Sequence, residues 1–309
     1  RAAVPSSLLP SSAQMRAAAL LGLGCSPKTL KRFQTDNSVE WRMGMPSSSD
    51  EADAILVFGG DGTIHRHLNQ LVKLAVPVLV VPRGSGNDFA RALGFRNVRD
   101  SLAAWKKFAN DAENIRTVDL GTITPLGTDA TRKSLPGTRY FSCVAGVGLD
   151  AEVARRANGL PRWLRGHGGY ALSLARSIFN FAPFPMKVLS QNGNSFDWLA
   201  RSDQSTILAA FANTTHYGGG MKIAPRAKID DGLLDVCIVG GMDPFKLFCL
   251  FPTVYAGKHL DIRGVEYFQS DRLRIETEHP LDVYADGEYV CRTPVEIGIQ
   301  PAAVKVLMA

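Results

Sequence analysis

The apolar run Ala54-Ile55-Leu56-Val57 opens directly into Phe58-Gly59-Gly60-Asp61-Gly62-Thr63-Ile64. An apolar run bounded by glycines predicts a buried strand. The glycines let the backbone turn sharply and approach a ligand closely. Thr63 is placed to cap a helix, and Ile64, Leu68, Leu71 and Val72 give that helix one apolar face. Strand, glycine turn and helix N-terminus together form an anion cradle, because free N–H groups and the positive helix end favour phosphate. Asp61 sits inside that turn. A carboxylate there repels phosphate unless it handles a metal, a hydroxyl or a proton.

A second turn of the same kind follows about twenty residues on. The run Val78-Leu79-Val80-Val81 meets Pro82-Arg83-Gly84-Ser85-Gly86-Asn87-Asp88, and a helix with Phe89, Ala90 and Leu93 on one side comes next. Asn87 or Ser85 can cap it. Gly84 and Gly86 bare the backbone, Ser85 and Asn87 offer hydrogen bonds, and Arg83 and Arg91 can balance phosphate charge. Taken alone, this is also what an ordinary capped turn looks like. Two such turns in consecutive units converge at the carboxyl ends of their strands, where α/β sheets bind ligands.

The organisation changes near residue 121. Before it, strands at 54–58, 77–81 and 115–120 alternate with helices at 63–74, 87–94 and 99–109, the pattern of a parallel α/β sheet. After it come mostly strands, near 138–145, 185–190, 195–201, 205–212, 233–239, 265–277, 281–285, 294–299 and 303–307. These predict antiparallel sheets in a sandwich, interrupted by helices near 148–157, 168–180 and 244–256. The expected domains are residues 1–121, which bind nucleotide, and 122–309. Leu126–Pro136 reads as an exposed polar loop.

Composition narrows the class. The chain has 309 residues and an apolar fraction of 45%, enough for large cores. No apolar run reaches the ~18 residues of a membrane span. The five cysteines are scattered, with no Cys-x-x-Cys pair or His/Cys cluster for zinc, which points to a reducing cytoplasm. The net charge of +6 suits an anionic membrane surface or a nucleotide. Aromatic-interleaved basic repeats are missing, so nucleic acid is not an expected partner.

GGDGT followed by P-x-G-[ST]-x-N-D-F-A-R resembles the diacylglycerol-kinase-type lipid kinase family, within the superfamily of NAD kinases. Later motifs fit in order. They are Arg116-Thr117-Val118-Asp119-Leu120-Gly121, Gly146-Val147-Gly148-Leu149-Asp150-Ala151, Asn213 with Gly218-Gly219-Gly220-Met221, Asp231-Gly232-Leu233-Leu234-Asp235-Val236, and Asp286-Gly287-Glu288. One feature departs. The family opens with a strand and an Asn-Pro-x-Ser-Gly turn, whereas here Val4-Pro5-Ser6-Ser7 runs into a predicted helix near Ser12–Gly22. The first strand is therefore expected to be missing. The resemblance also implies that the final strand returns to the first domain, leaving the active site in the cleft between domains.

The same resemblance implies an ATP-dependent kinase acting on a lipid hydroxyl, with diacylglycerol as the default acceptor. A soluble-metabolite kinase such as NAD kinase, or a non-catalytic lipid-binding module, are the alternatives. Gly59, Gly60, Asp61, Gly62, Thr63, Gly84, Ser85, Asn87 and Asp88 are the nucleotide-binding set. Asp286 is the first choice as catalytic base, Glu288 its close rival, and Asp61 a third catalytic candidate. The family's structural Mg²⁺ transfers by position to the Asp231 carboxylate and the Lys228 and Leu233 carbonyls, with Asp119 near enough to link metal and catalytic centre. A second Mg²⁺ would come with ATP.

The acceptor side is less patterned. Arg155, Arg156, Arg162 and Arg165 lie among Trp163, Tyr170, Phe179 and Phe181, a mixture that suits an anionic lipid surface as well as a packed helix with a solvated edge. The Phe245–Tyr255 helix reads as core, kinked at Pro252. Peripheral association of a cytoplasmic protein with the membrane is expected, and a homodimer is left open. His65 and His67 read as bystanders on the helix surface.

Overall fold

The structure is a computed structural model that describes residues 14–34, 38–111, 114–127, 137–159, 176–191, 197–218 and 220–309. The first layer is a parallel sheet of β1 (Met15–Leu21), β2 (Val39–Met43), β3 (Ala54–Gly59) and β4 (Val78–Pro82), in the order β2-β1-β3-β4. Helices α1 (Pro27–Leu30), α2 (Asp61–Leu74), α3 (Asp88–Ala92) and α4 (Val98–Asp111) accompany it. All six residues of β3 are buried, so the strand reads as an unbroken apolar run rather than an alternation. Ile64, Leu68 and Leu71, spaced four and three apart, form the buried stripe of α2.

One expectation is overturned here. Residues 15–21 are not the end of a helix but the strand β1, paired in parallel with β2 on one side and β3 on the other. The first strand is present. Its Ala- and Leu-rich sequence favours a helix locally. A place between two strands buries Ala17, Ala18, Ala19 and Leu20 on both faces, and that burial outweighs propensity. The loop that follows lies at the glycine turn, since Gly22 N donates to the Phe58 carbonyl at 2.7 Å. Residues 12 and 13 of the expected helix lie outside the described residues.

The second layer is antiparallel. It contains β5 (Ile115–Pro125), β6 (Arg139–Phe141), β7 (Val144–Gly148), β8 (Phe184–Gln191), β9 (Leu199–Ala212), β10 (Leu234–Gly240), β11 (Val265–Ser270), β12 (Arg272–Thr277), β13 (Asp282–Ala285), β14 (Glu288–Arg292) and β15 (Val295–Leu307). Helices α5 (Leu149–Gly159), α6 (Pro244–Leu250) and α7 (Thr253–Ala256) interrupt it. The fold is thus an α/β domain followed by a mostly antiparallel sandwich. The sandwich has its own core, built around Phe141, Val188, Phe211, Val236 and Ile275. The single strand expected at 265–277 is two: β11 pairs with β10, whereas β12 pairs with β8 and β15. Most of the 126–136 loop, and residues 160–175 with Arg162, Trp163, Arg165 and Tyr170, lie outside the described residues.

The layers meet along β5 and β15, an antiparallel pair in which β5 runs unbroken through residue 121 and the register shifts between Gln300 and Val304. The end of β15 turns parallel to β4, with Val306 opposite Val78. Asp119 fastens this seam. It is 4% exposed; its Oδ2 accepts from Gly232 N and its Oδ1 from Ala302 N, both at 2.7 Å. Its own N–H donates to the Ile229 carbonyl. Charge-assisted bonds to buried amides are among the stronger ones. Asp119→Ala should therefore lower unfolding stability by about 3 kcal/mol, read from urea denaturation, with Asp119→Asn intermediate.

Candidate active site

The two glycine turns cross at the carboxyl ends of β3 and β4. Gly60 and Gly84 are the crossing point: a Cβ on Gly60 would stand 2.8 Å from the Gly84 Cα, and one on Gly84 2.5 Å from the Gly60 Cα. No side chain fits at either position. Gly59 ends β3, and Gly60 precedes α2 in extended conformation without a side-chain cap. Thr63, expected as the cap, lies inside the helix, and its N–H bonds back to the Gly60 carbonyl at 2.9 Å.

Asp61 has a role the residue pattern did not suggest. Its Oδ2 accepts from Asp88 N and its Oδ1 from Phe89 N, both at 3.1 Å. It is the N-terminal cap of α3, supplied from the neighbouring loop. Asn87, expected to cap α3, adopts left-handed backbone at φ 54° and makes no cap bond. Its amide instead closes its own loop, accepting from Gly84 N at 2.8 Å and donating to the Gly84 carbonyl at 2.7 Å. Burial, reinforced by the nearby Asp88 carboxylate, pushes the Asp61 carboxyl up to about 6 against the pull of its two N–H donors. Arg91, expected to face phosphate, is committed to Asp88 at 2.5 Å and to the Gly86 carbonyl at 3.0 Å. Ser85 and Arg83 are exposed on the loop.

The hairpin tip from the sandwich faces this cradle. Asp286 and Gly287 both have positive φ, 52° and 83°, the signature of an Asp-Gly type I′ turn. The turn drives the Asp286 side chain inward. Its Oδ1 accepts from Cys143 N at 2.8 Å; its Oδ2 accepts from Ser142 N at 2.8 Å and Ser142 Oγ at 3.1 Å, and meets His65 Nδ1 at 3.1 Å. The side chain is 0% exposed. Asp286 is thus enclosed by its own partners and not open to solvent. Four donors fill the roughly four lone-pair sites of a carboxylate.

Glu288, two residues on, stands at the opening. Its Oε1 lies 2.6 Å from where a Cβ on Gly62 would be, so the acid sits against the first turn of α2. With His65, Arg66, Asn69 and Arg139 it lines a polar cleft of about 330 Å³. His65 belongs to the site and is no bystander. The signal for it was helical spacing: Gly62, His65, Arg66 and Asn69 share one polar face of α2, opposite the buried stripe.

The remaining candidates divide. Asp231 is exposed, and its Oδ1 accepts from Leu233 N at 3.2 Å. Asp119 has both carboxylate oxygens on amides and holds the loop that carries Asp231. Among the described residues no three His, Cys, Asp or Glu side chains converge on one point. One carboxylate with backbone carbonyls is an all-oxygen donor set, which fits Mg²⁺ completed by water and not a nitrogen- or sulfur-loving ion. Arg155 and Arg156 both pair with Glu152, at 2.7 and 2.5 Å, so these two form no free basic surface. All five cysteines are free thiols. No described helix is long and apolar enough to cross a membrane.

Loop 213–221 leads from this site into the sandwich. Asn213 donates to the carbonyls of Asp119 and Ser142, and His216 lies within electrostatic reach of Asp88 and Arg91. Tyr217 and Met221 then line an apolar cavity of about 70 Å³, together with Leu149, Val153, Leu208 and Val239. Asp150 is the acid on its wall. Burial pushes its carboxyl up to about 6 against the opposing hydrogen bond from Tyr217.

Known proteins share this arrangement. Residues 33–123 match the family model described as diacylglycerol kinase catalytic domain. Residues 143–308 match the YegS C-terminal NAD kinase beta sandwich-like domain. A diacylglycerol kinase of Mycobacterium tuberculosis is 32% identical over 255 residues, covering 82% of this chain and 76% of that protein. The putative lipid kinase YtlR of Bacillus subtilis is 27% identical over 263 residues, covering 82% and 79%. The fold matches the crystal structure of a putative diacylglycerol kinase from Bacillus anthracis, with a TM-score of 0.71, 21% identity and coverage of 97% and 98%. The chain belongs to the diacylglycerol kinase/YegS family of lipid kinases, and it is a kinase.

Asp61 carries a pH prediction. Its folded-state pKa lies above the ordinary 3.8, so the folded protein holds the proton more tightly than the unfolded chain. That contribution is complete below the unfolded value and is lost as pH rises through about 6. Asp61→Asn removes it. Between pH 5 and pH 7.5 the stability of the variant relative to the parent should rise by about 1 kcal/mol, measured by urea denaturation at the two pH values. A constant difference would mean that Asp61 is ionised throughout.

Proposed function

We propose that this kinase transfers the γ-phosphate of ATP to the hydroxyl of a diacylglycerol. The observation that carries the reading is the cleft lined by His65, Arg66, Arg139 and Glu288, with Asp286 buried behind His65 and Glu288 set against Gly62 in the first turn of α2. The nucleotide phosphates lie against the first turn of α2 and the Gly84–Asn87 loop, where backbone N–H groups and the helix dipole favour anions. Arg66 and Arg139 line the same cleft and stabilise charge on the transferring phosphoryl group. The acyl part of the acceptor points along loop 213–221 towards the apolar cavity.

The proton has a defined path. His65 Nδ1 donates to Asp286, which leaves Nε2 as an acceptor. The acceptor hydroxyl gives its proton to Nε2 as its oxygen bonds to the γ-phosphorus. The bond from that phosphorus to the bridging oxygen breaks, and ADP leaves. Asp286 is then a positioning residue: it fixes the tautomer and stabilises the imidazolium. Glu288 orients the acceptor hydroxyl. Mg²⁺ bound with the nucleotide supplies charge neutralisation at the phosphates. A second Mg²⁺ would be held by the open oxygen of Asp231 and the carbonyls of Lys228 and Leu233.

Transfer from labelled ATP to a short-chain diacylglycerol, with NAD as the contrasting acceptor, tests the reading. His65→Gln should lower kcat about a hundredfold, with little change in the KM for ATP. If Glu288→Gln abolishes turnover while His65→Gln retains it, the base is Glu288. Phosphorylation of NAD in preference to the lipid would replace the acceptor assignment altogether.

Asp231→Ala tests the second metal. Mg²⁺ should raise the thermal midpoint of the parent and leave that of the variant unchanged, because a metal held by the folded loop stabilises the folded state. Equal responses to Mg²⁺ would remove this site.

A further inference from the structure

The helices α6 and α7 present apolar side chains on two opposite faces. Leu247, Leu250, Phe251 and Val254 recur at the i, i+3, i+4, i+7 spacing of one helical face and wall the inner cavity. Phe245, Phe248 and Tyr255 fall on another face, with Pro252 between them, and are 67, 44 and 47% exposed. No residue of either helix is buried, contrary to the core helix expected over 245–255. The ring of Phe179, itself 53% exposed, packs beside Phe248 at 5.6 Å. Scattered exposed apolar residues are ordinary, but large aromatics gathered on one face mark an interaction surface.

The charge around this face is mainly positive. Lys246 follows Phe245 in the chain, Lys258 follows α7, and Arg176 stands one turn before Phe179. None of these three pairs with a carboxylate among the described residues. The nearby acids are Asp243, whose carboxylate caps α6 through Lys246 N at 3.0 Å, and Asp261.

We infer that the outer face of α6 and α7, with Phe179, docks the protein on an anionic membrane. Its aromatic rings enter the interfacial layer and its cations lie among the headgroups. A second copy of the chain fits less well, because two-fold pairing through this face would set Lys246 and its neighbours against like charges. A membrane also gives the inner face a purpose. The helices that touch the bilayer wall the cavity, so an acyl chain can pass from one apolar phase to another along them. That last step rests on the lipid-kinase reading of the cleft; the docking surface itself does not.

The test uses the full chain and vesicles of phosphatidylcholine alone or mixed equally with phosphatidylglycerol. The parent should co-sediment with the mixed vesicles more than with the neutral ones. In the double variant Phe245→Ser/Phe248→Ser, partition onto mixed vesicles should fall at least about tenfold, as expected when two phenyl rings leave the interface. Its thermal midpoint and its turnover of a soluble short-chain diacylglycerol should match the parent. Lys246→Gln should weaken binding about fivefold at low salt and converge on the parent as salt screens the surface. Vesicle binding by the double variant equal to that of the parent would overturn the proposal. So would retained vesicle binding together with loss of a dimer seen by sedimentation velocity, which assigns the face to a second copy. If the parent phosphorylates no lipid but the double variant still loses its vesicles, the docking surface stands and the kinase reading of the cleft fails.

Discussion

The bond pair from Asp61 to the first two amides of α3 organises the candidate site. Two glycine turns alone would be two independent loops. The Asp61 carboxylate leaves the N-terminus of α2 and satisfies the N-terminus of α3, binding the second turn to the first. The glycine contact between residues 60 and 84 lets the backbones come close enough for this. The two helix ends therefore have different fates. The positive end of α3 is consumed by an internal anion, and that of α2 remains for an external one. The conflict between a carboxylate and a phosphate cradle is resolved by direction: Asp61 faces the neighbouring helix. Glu288, which does lie against α2, is the acid an incoming phosphate would meet.

Buried polar groups tie the elements of the sandwich together beside this cradle, and one of them, Asp286, reaches across to the first layer at His65. Asp119 reaches the 228–233 loop and β15, Asn213 reaches Asp119 and Ser142, and Asp286 reaches Ser142, Cys143 and His65. Each of these side chains would be costly to bury alone. Paired in series, they fix the sandwich elements that carry Asp286, because a sliding movement of any one would strand several of them at once. Apolar packing alone would tolerate such a slide.

The strands β3 and β4 and both glycine turns were legible because burial on both faces leaves an apolar run and close backbone approach leaves glycines. The strand β1 was not, because Ala17–Ala19 and Leu20 are good helix formers and only their neighbours in the sheet make them a strand. The capping role of Asp61 was hidden for a related reason: its partners are 27 and 28 residues away. His65 could have been found from the polar stripe it shares with Gly62 and Asn69, had that stripe been weighed as carefully as the apolar one. For Asp286 and Glu288, which of the two faces the opening depends on the turn. A type I′ hairpin sends one carboxylate into the interior and returns the next to the opening, and spacing alone does not say which.

The His65–Asp286 contact has a consequence for how the halves must work together. The imidazole belongs to α2 and the carboxylate to the β13–β14 turn, so the pair exists only when the two layers are in register. Glu288 and Arg139 come from the sandwich side, whereas Arg66 and the helix N-terminus come from the other. Neither layer carries a complete set of groups for moving a phosphoryl group. A separation of about 1 Å at this seam would lengthen the imidazole–carboxylate bond beyond useful range while leaving both cores intact. The bonds at Asp119 and Asn213, which brace the sandwich elements around Asp286, are therefore as much a condition of the proposed chemistry as of the fold. They hold apart two jobs that one residue could not do: Asp286 stays dry and fully bonded, and His65 stands between it and the cleft with one nitrogen committed and one open.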